Sequence, residues 1–139
     1  MTGSRMRIRL IRSPAQGFTL IEVMVVMSLI VVLASIGIAT YTNSVTRAKE
    51  AVLKENLFRM RDALDQFYAD KNKYPDSLDF LVSEKYLRTL PRDPFTLTTD
   101  WRVEMSEPDP TDPSEVPGVF DVKSVSKGTA LDGSNYGDW

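Results

Sequence analysis

The chain has no cysteine and no histidine among its 139 residues. The first absence excludes disulfides and thiolate chemistry. The second removes the usual general base and most zinc sites. Charge is missing from a long internal stretch, with no acidic or basic side chain from Val23 to Thr46. Proline is missing between Pro14 and Pro75. No acid occurs in the first 17 residues, which carry Arg5, Arg7, Arg9 and Arg12. With 17 basic and 19 acidic residues in the whole chain, the part after residue 17 holds 13 and 19, a balance of −6. An acidic remainder argues against nucleic acid, because phosphate binding needs a basic face. No G-x-S-x-G nucleophile motif is present. Asp109 and Asp112 are close in sequence but lie in a proline-rich stretch with no apolar wall to tune a carboxyl group. An enzyme is not expected, and no organic cofactor is implied.

What is present is a basic head followed by a long apolar run. That order marks a membrane-targeted N-terminus whose arginines stay in the cytoplasm. An ordinary signal peptide fits poorly. The apolar core is about 19–24 residues, beyond the 7–15 of a typical secretory h-region. No A-x-A-like cleavage site follows it, and the small residue Gly17 precedes it. At 1.5 Å per residue such a run can span a hydrocarbon core of roughly 30 Å. One carboxylate, Glu22, sits near its start. A charge at the bilayer centre costs about 2.5–3.5 kcal/mol on insertion scales. A residue that costly is expected to pair with a positive group.

Gly17-Phe18-Thr19-Leu20-Ile21-Glu22-Val23-Met24 closely resembles the N-terminal motif of type IV pilins and of the pseudopilins of type II secretion. The resemblance implies that a prepilin peptidase at the cytoplasmic face cuts between Gly17 and Phe18. Phe18 would then be N-methylated, and the mature chain would have 122 residues (139 minus 17). It also implies a structural role in a homo-oligomeric helical filament. Partners would be minor pseudopilins and an inner-membrane assembly platform. Cleavage would create a charged amine on Phe18, and the Glu22 carboxylate of a neighbouring subunit could pair with it. Pairing would relieve the desolvation of both charges and fix the axial register. Many relatives have a proline in the second half of the apolar segment; here Gly37 offers only local weakness.

Beyond the apolar run, Leu53, Leu57, Met60, Leu64, Phe67 and Tyr68 recur at helical spacing on one face. Glu50–Lys54 and Glu55–Arg59 have the spacing of i,i+4 ion pairs. The pattern predicts one continuous helix from about residue 18 to about residue 72, ended by Asn72-Lys73-Tyr74-Pro75-Asp76. Asp76 or Ser77 is expected to cap a second helix through about Leu87. Prolines in Leu90-Pro91-Arg92-Asp93-Pro94-Phe95 stop it and leave Phe95 to pack. Residues 101–105 and 119–125 alternate apolar and polar, so they predict two strands pairing antiparallel. Between them, residues 107–117 hold four prolines and four acids and read as a loop.

The tail from Gly128 to Trp139 is rich in Gly, Asp, Asn and Ser. It resembles the glycine- and aspartate-rich loop that binds calcium in major pseudopilins. By that likeness Asp132 and Asp138 are the candidate metal ligands, with backbone carbonyls completing a shell of six to eight oxygens. The expected class is α+β, pilin-like: a long N-terminal helix packed on a small domain with a short helix and a small antiparallel sheet. Residues 1–17 are the leader, 18–46 the membrane and assembly helix, and 47–139 a periplasmic domain. The expected setting is a single-pass inner-membrane protein of a bacterial envelope, serving a secretion pseudopilus. The alternative is a type IV pilin for adhesion, twitching or DNA uptake. Such pilins usually carry a C-terminal disulfide loop, which this chain cannot form.

Overall fold

The computed structural model describes residues 17–108 and 116–139. The arginine-rich head and the centre of the proline-rich stretch, with Asp109 and Asp112, lie outside the described residues. The chain divides into two compact units, one ending at Ala39 and one running from Thr40 to Trp139.

Helix α1 runs without a break from Leu20 to Lys71. Thr19 starts it, with its Oγ1 accepting the Glu22 N–H at 3.3 Å. Asn72 ends it in the left-handed region at φ 53° and donates its N–H to the Tyr68 carbonyl at 2.8 Å. Asparagine tolerates that conformation better than most residues, so it suits a helix stop. Gly37 does not interrupt the helix.

In the first unit every residue of α1 is exposed, although most are large and apolar. The hydroxyls among them turn back on the helix: Ser28 donates to the Met24 carbonyl and Ser35 to the Val32 carbonyl. Polar groups satisfied within their own segment suit an environment without water.

The second unit is built on one stripe of α1. Leu53, Leu57, Met60, Leu64 and Phe67 are buried as expected, and Ala63 joins them. Tyr68 differs: it is 40% exposed and stacks on Tyr74, with ring centroids 4.6 Å apart. The stripe packs against Leu78 and Leu81 of α2 (Leu78–Ser83), Trp101, Val119, Val122, Ala130 and Tyr136. Phe67 meets Phe80 and Tyr86 edge-on at 5.8 and 5.3 Å.

Helix α2 is shorter than its apolar pattern suggested. It ends at Ser83 because Lys85 adopts φ 67°. The Lys85 N–H then reaches the Val82 carbonyl and the Tyr86 N–H reaches that of Leu81, the two bonds of a Schellman stop. Glycine usually fills that position, so the lysine gave no signal in the sequence. Ser77 is the N-cap residue, but its side chain makes no capping hydrogen bond.

The strands β1 (Trp101–Met105) and β2 (Val119–Ser124) pair antiparallel. Glu104 faces Asp121 and Met105 faces Val119, so Phe120 is an extra residue on β2. This bulge brings Val119 and Val122 to the core although they are three apart. Strict alternation would have placed only one of them there. In β1 only Trp101 reaches the core, while Val103 and Met105 remain 39% and 46% exposed.

Two residues fix the joints of this unit. At Gly118, an added Cβ would lie 2.6 Å from both the Cβ and the carbonyl O of Tyr74. That closeness lets the Val119 N–H donate to the Pro75 carbonyl at 2.8 Å. Asp93 is fully buried. Its Oδ1 accepts the N–H groups of Phe95 and Thr96 at 2.8 and 3.2 Å, and its Oδ2 accepts the Ser124 hydroxyl at 2.6 Å. The carboxylate thus ties the proline-flanked turn to β2, its charge solvated by three donors instead of water.

Two substitutions test these joints by chemical denaturation of the full chain in detergent. Gly118→Ala is expected to cost about 1–3 kcal/mol, because backbone must move to admit one methyl group. Asp93→Ala is expected to cost about 2–4 kcal/mol by leaving one buried and two part-buried donors without their acceptor. Asp93→Asn should cost less, since the amide keeps one acceptor oxygen. Equal losses for the two Asp93 variants would contradict the hydrogen-bonding account.

Candidate functional site

Two places carry the residues that the sequence singled out. The first is the start of α1. Thr19-Leu20-Ile21-Glu22 has the T-x-x-E spacing of a capping box, a signal absent from the apolar-run argument. One half of the box forms, with Thr19 Oγ1 receiving the Glu22 N–H. Among the described residues nothing bonds to the Glu22 carboxylate. The carboxylate thus sits in the first turn, where the amide dipoles favour a negative charge. Around it the side chains of Phe18, Val23, Val26, Met27 and Ile30 line one apolar groove. Gly17 and Phe18 precede the helix, Phe18 is 80% exposed, and no heavy atom crowds Gly17. The peptide bond between them is therefore open to a processing enzyme. The helix that follows is long and apolar enough to cross a membrane.

The second place is the C-terminal loop. Thr129 bridges Asn135, and Gly133 at φ 88° turns the chain between them. The Ala130 N–H donates to the Ser134 carbonyl at 2.7 Å, closing the turn. A 3-10 turn, Tyr136–Asp138, follows. Asp132 uses one oxygen, Oδ1, to accept both the N–H and the hydroxyl of Ser134, at 2.9 and 2.6 Å. Those two bonds, followed by the charge of Lys54, hold its carboxyl below the usual range. Asp138 Oδ2 accepts the Asn135 side-chain amide at 3.3 Å.

Calcium needs a shell of six to eight oxygens, usually with several carboxylates. Here the two candidate carboxylates already serve neighbouring donors. No group of three or more Asp, Glu, His or Cys side chains converges among the described residues.

Three charged residues of α1 hold this loop, and periodicity did not foretell it. Glu50 does not pair with Lys54 as the i,i+4 spacing suggested. Its Oε1 accepts the Leu131 N–H at 2.8 Å and the Tyr136 hydroxyl at 3.0 Å. Burial, and then Glu50, push the Tyr136 hydroxyl up to about 12, so it remains a donor. Lys54 Nζ lies 4.2 Å above the Trp139 ring. Arg61 reaches the Asp121 carboxylate at 2.7 Å and the carbonyls of Val122 and Trp139 at 2.9 and 2.6 Å. The aromatic side chains complete the closure: Phe95 stacks on Tyr136 at 4.1 Å, and the Trp139 indole donates to Ser134 Oγ at 2.8 Å. Glu55 and Arg59 do form their expected pair at 2.7 Å, exposed on the far side from the core.

Known proteins share the first place. The profile of the prokaryotic N-terminal methylation motif matches residues 12–38. The type IV major pilin protein PilA of Myxococcus xanthus is 35% identical over 71 residues, which is 51% of this chain and 32% of that pilin. The type II secretion system core protein G of Aeromonas hydrophila is 30% identical over 95 residues, covering 57% of this chain and 66% of that protein. Its counterpart in Klebsiella pneumoniae is 31% identical over 96 residues, 58% of this chain and 69% of that protein. The chain thus spans about a third of the pilin's length and about two thirds of each secretion protein's. No solved structure matches the chain significantly. With its methylation motif, its membrane-length apolar helix and its small α+β domain, the chain belongs to the pilin-like family of type II secretion system core protein G, the major pseudopilins.

Proposed function

We propose that the chain is a structural subunit of a periplasmic pseudopilus that drives type II protein secretion. The observation that carries this is Glu22: one carboxylate in the first turn of a helix whose next 24 residues, Val23 to Thr46, bear no charge. The reading makes it a structural protein, not an enzyme.

Before assembly the apolar half of α1 anchors the subunit in the inner membrane, with residues 47–139 in the periplasm. A prepilin peptidase cuts after Gly17 and Phe18 is N-methylated. In the filament the Glu22 carboxylate of one subunit meets the Phe18 ammonium of the next. Each charge then finds its partner in a medium that would otherwise penalise it. The apolar faces of the helices supply the remaining contact, and the minor pseudopilins and an inner-membrane platform start and drive growth.

A type IV pilin is the second reading, favoured by the match to the Myxococcus protein over half of this chain. It is weakened by the absence of cysteine. Loss of secretion without loss of twitching in a deletion strain selects the pseudopilus; the reverse selects the pilin.

Two measurements test the assembly chemistry. Mass spectrometry of the protein from native membranes should give a terminus at methylated Phe18 and a chain shortened by the 17 residues of the leader. Glu22→Val should keep the membrane anchor but abolish filaments when expressed alone. Filaments of normal stagger from that variant would refute the ion pair.

A further inference from the structure

We propose that a groove between α1 and the stretch Tyr86 to Arg92 receives the acidic, proline-rich segment 107–117 of a neighbouring copy of this chain, so that one subunit holds the next. The inference deepens the filament reading and rests on it.

The groove has a volume of about 420 Å³. Its lining joins the apolar Ala63, Leu87 and Pro91 to the exposed, charged Arg59, Asp62 and Arg88. Two hydrogen bonds fix its non-helical wall. The Tyr86 hydroxyl donates to the Asp70 carboxylate at 2.7 Å, and the Asn56 side-chain amide donates to the Arg92 carbonyl at 2.9 Å. A wall held at both ends needs little ordering when a partner arrives. The stretch from Tyr86 to Arg92 carries two cations and no acid. Among the described residues Arg88 and Arg92 make no ion pair. On the helix side, Arg59 donates to Glu55 at 2.7 Å and Asp62 accepts the Gln66 amide at 2.7 Å. The charge left unpaired on the Tyr86 to Arg92 wall is therefore positive.

Residues 107–117 are its chemical complement within the sequence, with four carboxylates, no cation and four prolines. Proline lowers the chain entropy lost on docking. The segment starts from the other side of α1. Its base closes where the Ser106 N–H donates to the Gly118 carbonyl at 2.7 Å. Gly118 lies against Tyr74, and Tyr74 stacks on Tyr68. Arg61, seven residues before Tyr68 and on the same helix face, holds Asp121 of β2 at 2.7 Å. Arg59 of the groove is two residues from Arg61, about 200° round the helix. A segment serving its own groove would have to wrap half the circumference of α1, about 16 Å, and cover about 14 Å along the axis from Tyr68 to Arg59. A second copy packed alongside presents its segment directly. With the segment on one side and the groove on the other, the contact is head-to-tail, and such contacts propagate into open helical arrays.

Because the chain has no cysteine, two introduced thiols report one contact. Thr89→Cys in the groove and Thr111→Cys in the segment, carried together by the full chain in its host, should give a ladder of disulfide-linked multimers when isolated filaments are oxidised. Neither cysteine alone should give more than dimers. Filaments without the ladder, or a disulfide closed within one chain, overturn the inference and leave the filament reading intact. Arg88→Glu should cut filament yield by about fivefold or more, and Asp112→Lys in the same chain should restore it. Rescue by Asp65→Lys, an exposed acid of α1, and not by Asp112→Lys makes the neighbour's helix the occupant and overturns the inference. One measurement needs no filament. A fluorescent peptide of residues 107–117 should bind the full chain in detergent micelles, and Arg88→Glu or raised salt should weaken binding by about fivefold or more. No binding, or equal binding to both chains, overturns the inference. Specific binding by a chain that assembles nothing in its host supports the groove and refutes the filament reading.

Discussion

Everything in the Thr40–Trp139 unit leans on one stripe of α1. A two-stranded sheet is marginal in water by itself, and a six-residue helix has little stability of its own. Neither could bury its apolar side without Leu53, Leu57, Met60, Leu64 and Phe67 beneath it. Burying side chains of that size contributes about 1.5–3 kcal/mol each. The helix thus serves as the hydrophobic floor of the unit, and the later elements are laid across it. A single helix can do this for so thin a layer because its stripe is narrow and continuous.

The polar contacts decide where those elements lie on the floor. Asp93 fastens the turn after α2 to β2. Gly118 lets the start of β2 touch Tyr74 and Pro75. Glu50, Lys54 and Arg61 lie at the edge of the apolar stripe and gather the last nine residues of the chain. Asp93 and Arg61 work by satisfying buried and part-buried polar groups, so their effect is on uniqueness as much as on stability. The same helix therefore carries two kinds of information. Its first half is apolar all round and marked by one carboxylate. Its second half is apolar on one side and charged along the edges.

That division explains what could be read in advance. The 3.6-residue period of the stripe and the absence of proline up to Pro75 are local facts, and they give α1 nearly to the residue. The alternation in 101–105 and 119–125 gives the strands for the same reason. Other features depend on neighbours distant in the chain. The end of α2 at Lys85 uses a residue with no left-handed preference, so tertiary packing, and not propensity, sets it. The bulge at Phe120 appears only once β1 and β2 are in register. Glu50 and Lys54 looked like partners at four residues' separation, yet each found a better partner some eighty residues on.

Local pattern alone carries the class of the protein: a glycine, an aromatic, a fixed-offset glutamate and a charge-free helix, followed by a one-sided stripe. These are short-range patterns whose chemistry does not depend on the rest of the fold. How the C-terminal loop is held depends on contacts with residues distant in the chain. Composition cannot say which donors and acceptors of the loop are engaged. That depends on Ser134, Asn135 and the face of α1 meeting in space, and a lysine four residues from a glutamate meets an aromatic ring only when Trp139 comes to rest beside it.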